Sequence, residues 1–203
     1  MIFVVEAVKG GVGKSTTALY LGEALARRDC RRVLVVDADP QGTLLEWDAA
    51  ATDVGNPLSV SVEGLPSAVM LRRRLSGIAE RFDTVVVDCP NRDVTIIEAA
   101  LEQADLAIVP VPPGVEELRR GRAALSLADA AHVSARILVT LVDLRTALTR
   151  EVLEVIDEEG LPRFRTLVRR RAEIASTVGA GRPGPLHDYS HVADELEVPV
   201  GTA

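Results

Sequence analysis

Lysine occurs only twice in these 203 residues, and both copies fall in one segment, Lys9-Gly10-Gly11-Val12-Gly13-Lys14-Ser15-Thr16. The other 21 of the 23 basic residues are arginine. A chain that otherwise carries its positive charge on planar guanidinium groups keeps a compact ammonium at two positions five apart, where a fork is no substitute. Gly10, Gly11 and Gly13 let the backbone turn its N–H groups inward as an anion nest. An apolar run, Ile2 to Ala7, precedes the segment, and an apolar-periodic stretch, Ser15 to Ala26, follows it. Strand, glycine turn, Lys-Ser and helix form the layout of a phosphate-binding loop. In that layout the helix N-terminus adds its dipole. Lys14 reaches the β- and γ-phosphates, and the Ser15 hydroxyl ligates Mg²⁺. The general pattern G-x-x-x-x-G-K-[ST] asks for glycine where Val8 stands, so the loop is a variant, with Lys9 added.

Two acidic motifs accompany it. Asp37-Ala38-Asp39-Pro40-Gln41-Gly42 ends a second apolar run. Carboxylates two apart on an extended segment point the same way, and their repulsion calls for a cation or water between them. Asp83-Thr84-Val85-Val86-Val87-Asp88 is a buried strand ending in an acid, the Walker B pattern, whose aspartate holds Mg²⁺ through water.

Positioning these groups requires parallel strands with their C-terminal ends together. Strand-like runs lie at Ile2–Ala7, Val33–Val36, Leu58–Val62, Thr84–Val87, Leu106–Val111, Arg136–Val142 and Phe164–Val168. Several are continuously apolar, which means burial on both faces. Helical patterns lie between them near Ser15–Arg27, Thr43–Ala51, Pro66–Arg81, Val94–Gln103, Glu116–Ala131 and Ala147–Glu159. The alternation predicts one α/β domain over 1–203, a doubly wound, mostly parallel sheet flanked by helices, with ligands beyond the C-terminal strand ends.

Together these residues resemble the ParA/MinD family of deviant Walker A P-loop ATPases, over essentially the whole chain. Lys9 to Thr16 matches the deviant loop, with Lys9 as its added lysine. Asp37 to Gly42 matches the D-x-D-P-Q-G element, more typical of ParA-type members. Val109-Pro110-Val111-Pro112-Pro113 resembles the segment bordering the nucleotide. The resemblance is strongest to small ParA partition ATPases without an N-terminal helix-turn-helix domain. It implies ATP and Mg²⁺ as cofactors, with Lys9, Gly10, Gly11, Val12, Gly13, Lys14, Ser15, Thr16 and Pro112 around the nucleotide. Ser15, Asp37 and Asp88 are implied at the metal, and Lys9, Lys14 and Asp39 in catalysis. Lys9 would reach across an ATP-bound homodimer to the partner's phosphates, and Asp39 would position water. Hydrolysis would be weak alone and stimulated by a ParB-like cargo adaptor. One departure stands out: after the fourth strand the family often has Asp-Thr-Pro or Asp-Gly, and this chain has Asp88-Cys89-Pro90-Asn91.

ParA-type members bind DNA non-specifically in the ATP state. Arg163, Arg165, Arg169, Arg170, Arg171 and Arg182 fall in a window whose one acid is Glu173, against a net charge of −7 for the chain. They are the expected DNA surface, since arginine can contact phosphates without reading bases. A MinD-like membrane ATPase would need a basic amphipathic C-terminal helix, and this C-terminal segment is acidic. A metabolic P-loop synthetase would have no use for Lys9. Cys30 and Cys89 lack metal or cluster spacing and read as reduced thiols. With no basic n-region before the first strand and no apolar run near the roughly 20 residues that span a bilayer, a cytoplasmic, nucleoid-associated protein without membrane attachment is expected.

Overall fold

The computed structural model describes residues 1–28, 31–177 and 180–197. Cys30 lies outside them, and Cys89 is a buried free thiol. Six strands, β1 (Ile2–Val5), β2 (Val33–Asp37), β3 (Ser61–Gly64), β4 (Thr84–Asp88), β5 (Leu106–Val111) and β6 (Ala135–Val139), form one sheet in the order β3-β2-β4-β1-β5-β6. Every neighbouring pair is parallel. All C-terminal strand ends therefore share one edge of the sheet. The loop leaving β1 sits between the ends of β4 and β5.

The helices are α1 (Lys14–Ala26), α2 (Thr43–Asp53), α3 (Ala68–Ala79), α4 (Val94–Leu101), α5 (Val115–Ala130), α6 (Ala147–Glu158), α7 (Ala172–Thr177) and α8 (Asp188–Glu197). Alternate strand residues feed opposite faces, as the two-residue period of a strand requires. Phe3, Val5, Val33, Val35 and Val86 pack with Leu19 and Leu21 of α1, Trp47 of α2 and Tyr189 and Val192 of α8. Val4, Leu34, Val36, Val85 and Val87 pack on the other side with Leu71 and Leu75 of α3 and Ile96 and Ile97 of α4. Two-sided burial explains the unbroken valine runs.

Three differences from the sequence pattern have physical causes. The third strand begins at Ser61, not Leu58, because the backbone N–H of Ser59 donates to the buried Glu23 carboxylate (2.5 Å) instead of to a ladder. Phe164–Val168 is not a continuous strand. It follows the outer edge of β6 through alternate bonds, Phe164 N–H to Ile137 O and Val168 N–H to Val139 O (both 2.9 Å), flanked by bridges at Arg163 and Arg169. Helix α8, which no strong periodic signal announces, is nevertheless part of the core. The Tyr189 hydroxyl meets Thr17 of α1 at 3.1 Å, and the Trp47 indole N–H donates to the Gly181 carbonyl (2.8 Å), anchoring the segment before α8.

A Cβ built on Gly22 of α1 would stand 2.7 Å from Cγ2 of Val35, whereas one on Gly77 of α3 would meet nothing within 4 Å. Overpacking against a stiff valine costs about 1–3 kcal/mol, against up to about 1 kcal/mol returned by alanine's helix propensity. Thermal melts should therefore place Gly22→Ala below the wild type and Gly77→Ala above it.

Candidate nucleotide-binding site

At the end of β1 the chain leaves the sheet and returns as α1. Gly11 (φ 77°) and Gly13 (φ 90°) occupy the left-handed region that L side chains rarely adopt. Gly13 is the N-cap of α1, and no side chain caps the helix. The first-turn N–H groups and the positive end of the helix dipole thus face the loop's interior, a site that suits phosphate. Lys14 is buried, with 6% of the residue exposed, and its Nζ donates to Oδ1 of Asn91 from the β4–α4 loop. Thr140, just past β6, donates its hydroxyl to the Val12 carbonyl (3.0 Å) and pins the loop from the other side. The next residue, Leu141, has φ 54°, a conformation costing a bulky L residue roughly 1–2 kcal/mol.

Lys9 is placed differently. Its side chain is about half exposed, and its Nζ pairs at 2.7 Å with Glu117 in the first turn of α5. It stands outside its own phosphate nest, at the rim. Pro112 lines a small cavity there with Lys9, Val12 and Glu117.

The acids separate into two roles. Asp37, expected near Mg²⁺, is fully buried, and three backbone N–H groups bond its oxygens. Oδ2 accepts from the N–H groups of Leu44 (2.8 Å) and Leu45 (3.2 Å), and Oδ1 from that of Asp39 (3.1 Å). Asp37 caps α2, whose own N-cap, Gly42, has no side chain to do so. Asp88 pairs in register with both Val5 and Asp37, yet both of its oxygens are buried without a hydrogen-bond partner. Burial pushes its pKa up to about 7, although the nearby Ser15 hydroxyl and Lys14 pull it down. An orphaned carboxylate beside a serine hydroxyl fits Mg²⁺, a hard cation taking oxygen ligands. Ser15 and Asp88 are the residues that would hold it. Asp39 is half-buried. Its Oδ1 accepts from the Gln41 N–H (3.0 Å), and it lines an open cleft of about 650 Å³ with Gly10, Gln41, Asn91 and Arg92.

Glu6 was not among the candidates, although a lone acid in the apolar run Ile2–Ala7 is a visible signal. It is fully buried and both oxygens lack partners. Burial raises its pKa to about 7, with Lys14 partly offsetting.

Around the expected DNA surface, acids from elsewhere in the chain close in. Arg163 pairs with Asp157 (2.7 Å), Arg169 with Asp188 (2.5 Å), and Arg171 lies 3.8 Å from Asp188. Three of the six guanidinium groups thus lie within ion-pair distance of acids of the same chain. Among the described residues, Arg165, Arg170 and Arg182 have no carboxylate within ion-pair distance.

Parallel sheet, glycine nest, uncapped helix, buried lysine and orphaned strand-end aspartate define a P-loop nucleotide-binding protein. The model of the CobQ/CobB/MinD/ParA nucleotide binding domain matches residues 3–183. The chain belongs to this family of nucleotide-binding ATPases and is of the ParA/MinD type. It is 32% identical over 208 residues to "Maintenance of carboxysome distribution protein A" of Gloeobacter kilaueensis, covering 93% of this chain and 90% of that one. Its fold matches that of a putative plasmid partition protein from Borrelia burgdorferi B31 bound to AMPPNP, with TM-score 0.79, 15% identity and 96% of each chain covered. The cobyrinic acid a,c-diamide synthase of Mycobacterium smegmatis, with bound ATP analog and magnesium, matches at TM-score 0.66 and 25% identity, over 96% of this chain and 93% of its own.

The raised pKa of Glu6 carries a sign that can be measured. Its folded value, about 7, exceeds the ordinary 4.5. The contribution of Glu6 to stability is therefore full below about pH 4.5 and is lost as pH rises through 7, by roughly 2–3 kcal/mol between pH 5 and 8. Denaturant midpoints without Mg²⁺ should fall over this range. Glu6→Gln should remove part of the fall and leave the share due to Asp88.

Proposed function

We propose that this protein is a ParA-type ATPase that dimerises on ATP, binds DNA non-specifically and positions a cargo, with hydrolysis stimulated by a cargo-adaptor protein. The observation that carries this reading is the placement of Lys9. Lys14 already serves the loop's own phosphate nest, so a second, exposed lysine at the rim has no use within its own site. Across an ATP-bridged dimer it would offset the charge that develops on the partner's phosphates, as an arginine finger does.

The chain's own groups then divide the chemistry. The nest of N–H groups and Lys14 orient the triphosphate. Mg²⁺, held by Ser15 with Asp88 behind it, would supply positive charge at the β- and γ-oxygens. Asp39, facing the cleft, would hold the attacking water. For Lys9 to cross, it must exchange the Glu117 carboxylate for phosphate. The similarity to a carboxysome distribution protein supports a positioning role, exercised in the cytoplasm on nucleoid DNA. A membrane-positioning alternative has less support, because the apolar face of α8 is already spent on α1. No helix among the described residues is long and apolar enough to cross a membrane.

Lys9→Ala should keep ATP binding, while losing ATP-dependent dimerisation by light scattering and at least about tenfold of partner-stimulated hydrolysis. Normal stimulated hydrolysis in this variant would refute the dimer mechanism. For DNA, the triple variant Arg165→Glu, Arg170→Glu, Arg182→Glu should flatten the slope of log affinity against log salt by roughly 2–3 in the ATP state. Arg169→Glu should instead lower the melting temperature, because it strands the buried Asp188 carboxylate.

A further inference from the structure

Asn91 stands in the β4–α4 loop directly after Asp88-Cys89-Pro90, the stretch that the resemblance reads as Asp-Thr-Pro, and its side chain enters the phosphate loop. The half-buried carboxamide contacts Lys14 on one side. On the other it reaches Gly10, where a built Cβ would lie 3.1 Å from Asn91 Nδ2. Chemistry fixes which way the amide points. An ammonium has only donors, so Lys14 must meet the carbonyl oxygen, and the NH₂ group faces the Gly10 side of the cleft. Asparagine is thus the one side chain of this loop that presents an acceptor to Lys14 and donors to an incoming anion at once.

We propose that Asn91 is a positioning residue that distinguishes a nucleoside triphosphate from a diphosphate in this site, an inference that rests on the ATPase reading above. Lys14 reaches the β- and γ-phosphates in loops of this kind. A diphosphate leaves the ammonium free to keep the Asn91 carbonyl as a second acceptor. The γ-phosphate of a triphosphate competes with that carbonyl for the same ammonium. The released carboxamide can then donate its N–H groups to the γ-phosphate oxygens, a charge-assisted bond a diphosphate cannot offer.

The consequence reaches beyond the loop. Asn91 follows Pro90 and precedes Arg92 and Asp93, and the Asp93 carboxylate accepts from the Ile96 N–H (3.1 Å) as the N-cap of α4. These residues form one wall of the cleft whose other wall carries Asp39 and Gln41. Moving the Asn91 side chain therefore changes the surface beside the water-positioning carboxylate only when a third phosphate is present.

The test compares dissociation constants for ADP and for a slowly hydrolysed ATP analogue, each with Mg²⁺, in wild type, Asn91→Ala and Asn91→Asp. Lys14→Ala serves as the control for the parent reading. Asn91→Ala frees Lys14 but loses the γ-phosphate donor, so its preference for the ATP analogue over ADP should drop about tenfold. Asn91→Asp, which cannot donate and repels phosphate, should lower that preference further. Melting curves of both variants with saturating ADP check that the fold is retained. If the ADP-to-analogue ratio stays at the wild-type value in both variants, the proposal is overturned while nucleotide binding stands. If wild type binds neither nucleotide, or Lys14→Ala binds both as wild type does, the parent reading falls and this proposal with it.

Discussion

Lys14 carries an ammonium into a site where only 6% of the residue meets water. A buried cation must be given electronegative partners from the surrounding structure. Here they come from separate strands and loops. The Asn91 carbonyl touches it directly, and the carboxyl groups of Glu6 and Asp88 feel it electrostatically. The uncapped N-terminus of α1 adds further positive potential at the same point. Such a concentration of positive character, with glycines on either side of Val12 turning the backbone inward, leaves one complementary occupant, an anion with several oxygens. The parallel sheet is the means by which β1 and β4 end side by side, and Thr140 beyond β6 holds the loop's far wall.

Long-range charge pairing then determines which cations remain available. Glu117 takes Lys9, and Asp188 takes Arg169 with Arg171 close by. Exposed pairs of this kind contribute little to stability, about 0–1 kcal/mol. Their importance lies in availability. A cation held by a weak, exposed pair can be exchanged for a phosphate at small cost, as the proposed reach of Lys9 across a dimer requires. Arg169 is different, because its partner Asp188 is buried and also accepts from the Arg169 backbone N–H. That pair is a hinge pin between the strand-edge segment and α8, not a surface in waiting.

Helix α8 closes the back of the site. Tyr189 joins Thr17, three residues beyond Lys14, and stacks at a tilt on Tyr20. The helix that carries the phosphate nest is thereby clamped between the sheet and α8. A rigid support is what holding the first-turn N–H groups in a fixed direction demands. The apolar residues that a membrane-binding helix would offer to lipid are used for this purpose.

Much of the site was legible in the chain. Glycine spacing, the Lys-Ser pair, acids ending valine runs and the alternation of periods identified the loop, the parallel sheet and all six of its strands to within three residues. These signals are local, because they follow from backbone conformation and from the period of burial. Other assignments depended on distance in space. That Asp37 caps α2 while Asp88 is left without partners follows from where α2 returns, not from the D-x-D spacing. The arginine-rich window looked strongly basic because Asp157, Asp188 and Glu195 lie outside it in sequence and against it in the fold. Glu6, Thr140, Asn91 and Glu117 acquired roles only when the strand ends met. The sequence by itself determined the chemistry of the loop and the class of fold. Tertiary structure decided which charges are free, because electrostatic pairing acts through space and ignores the order of residues along the chain.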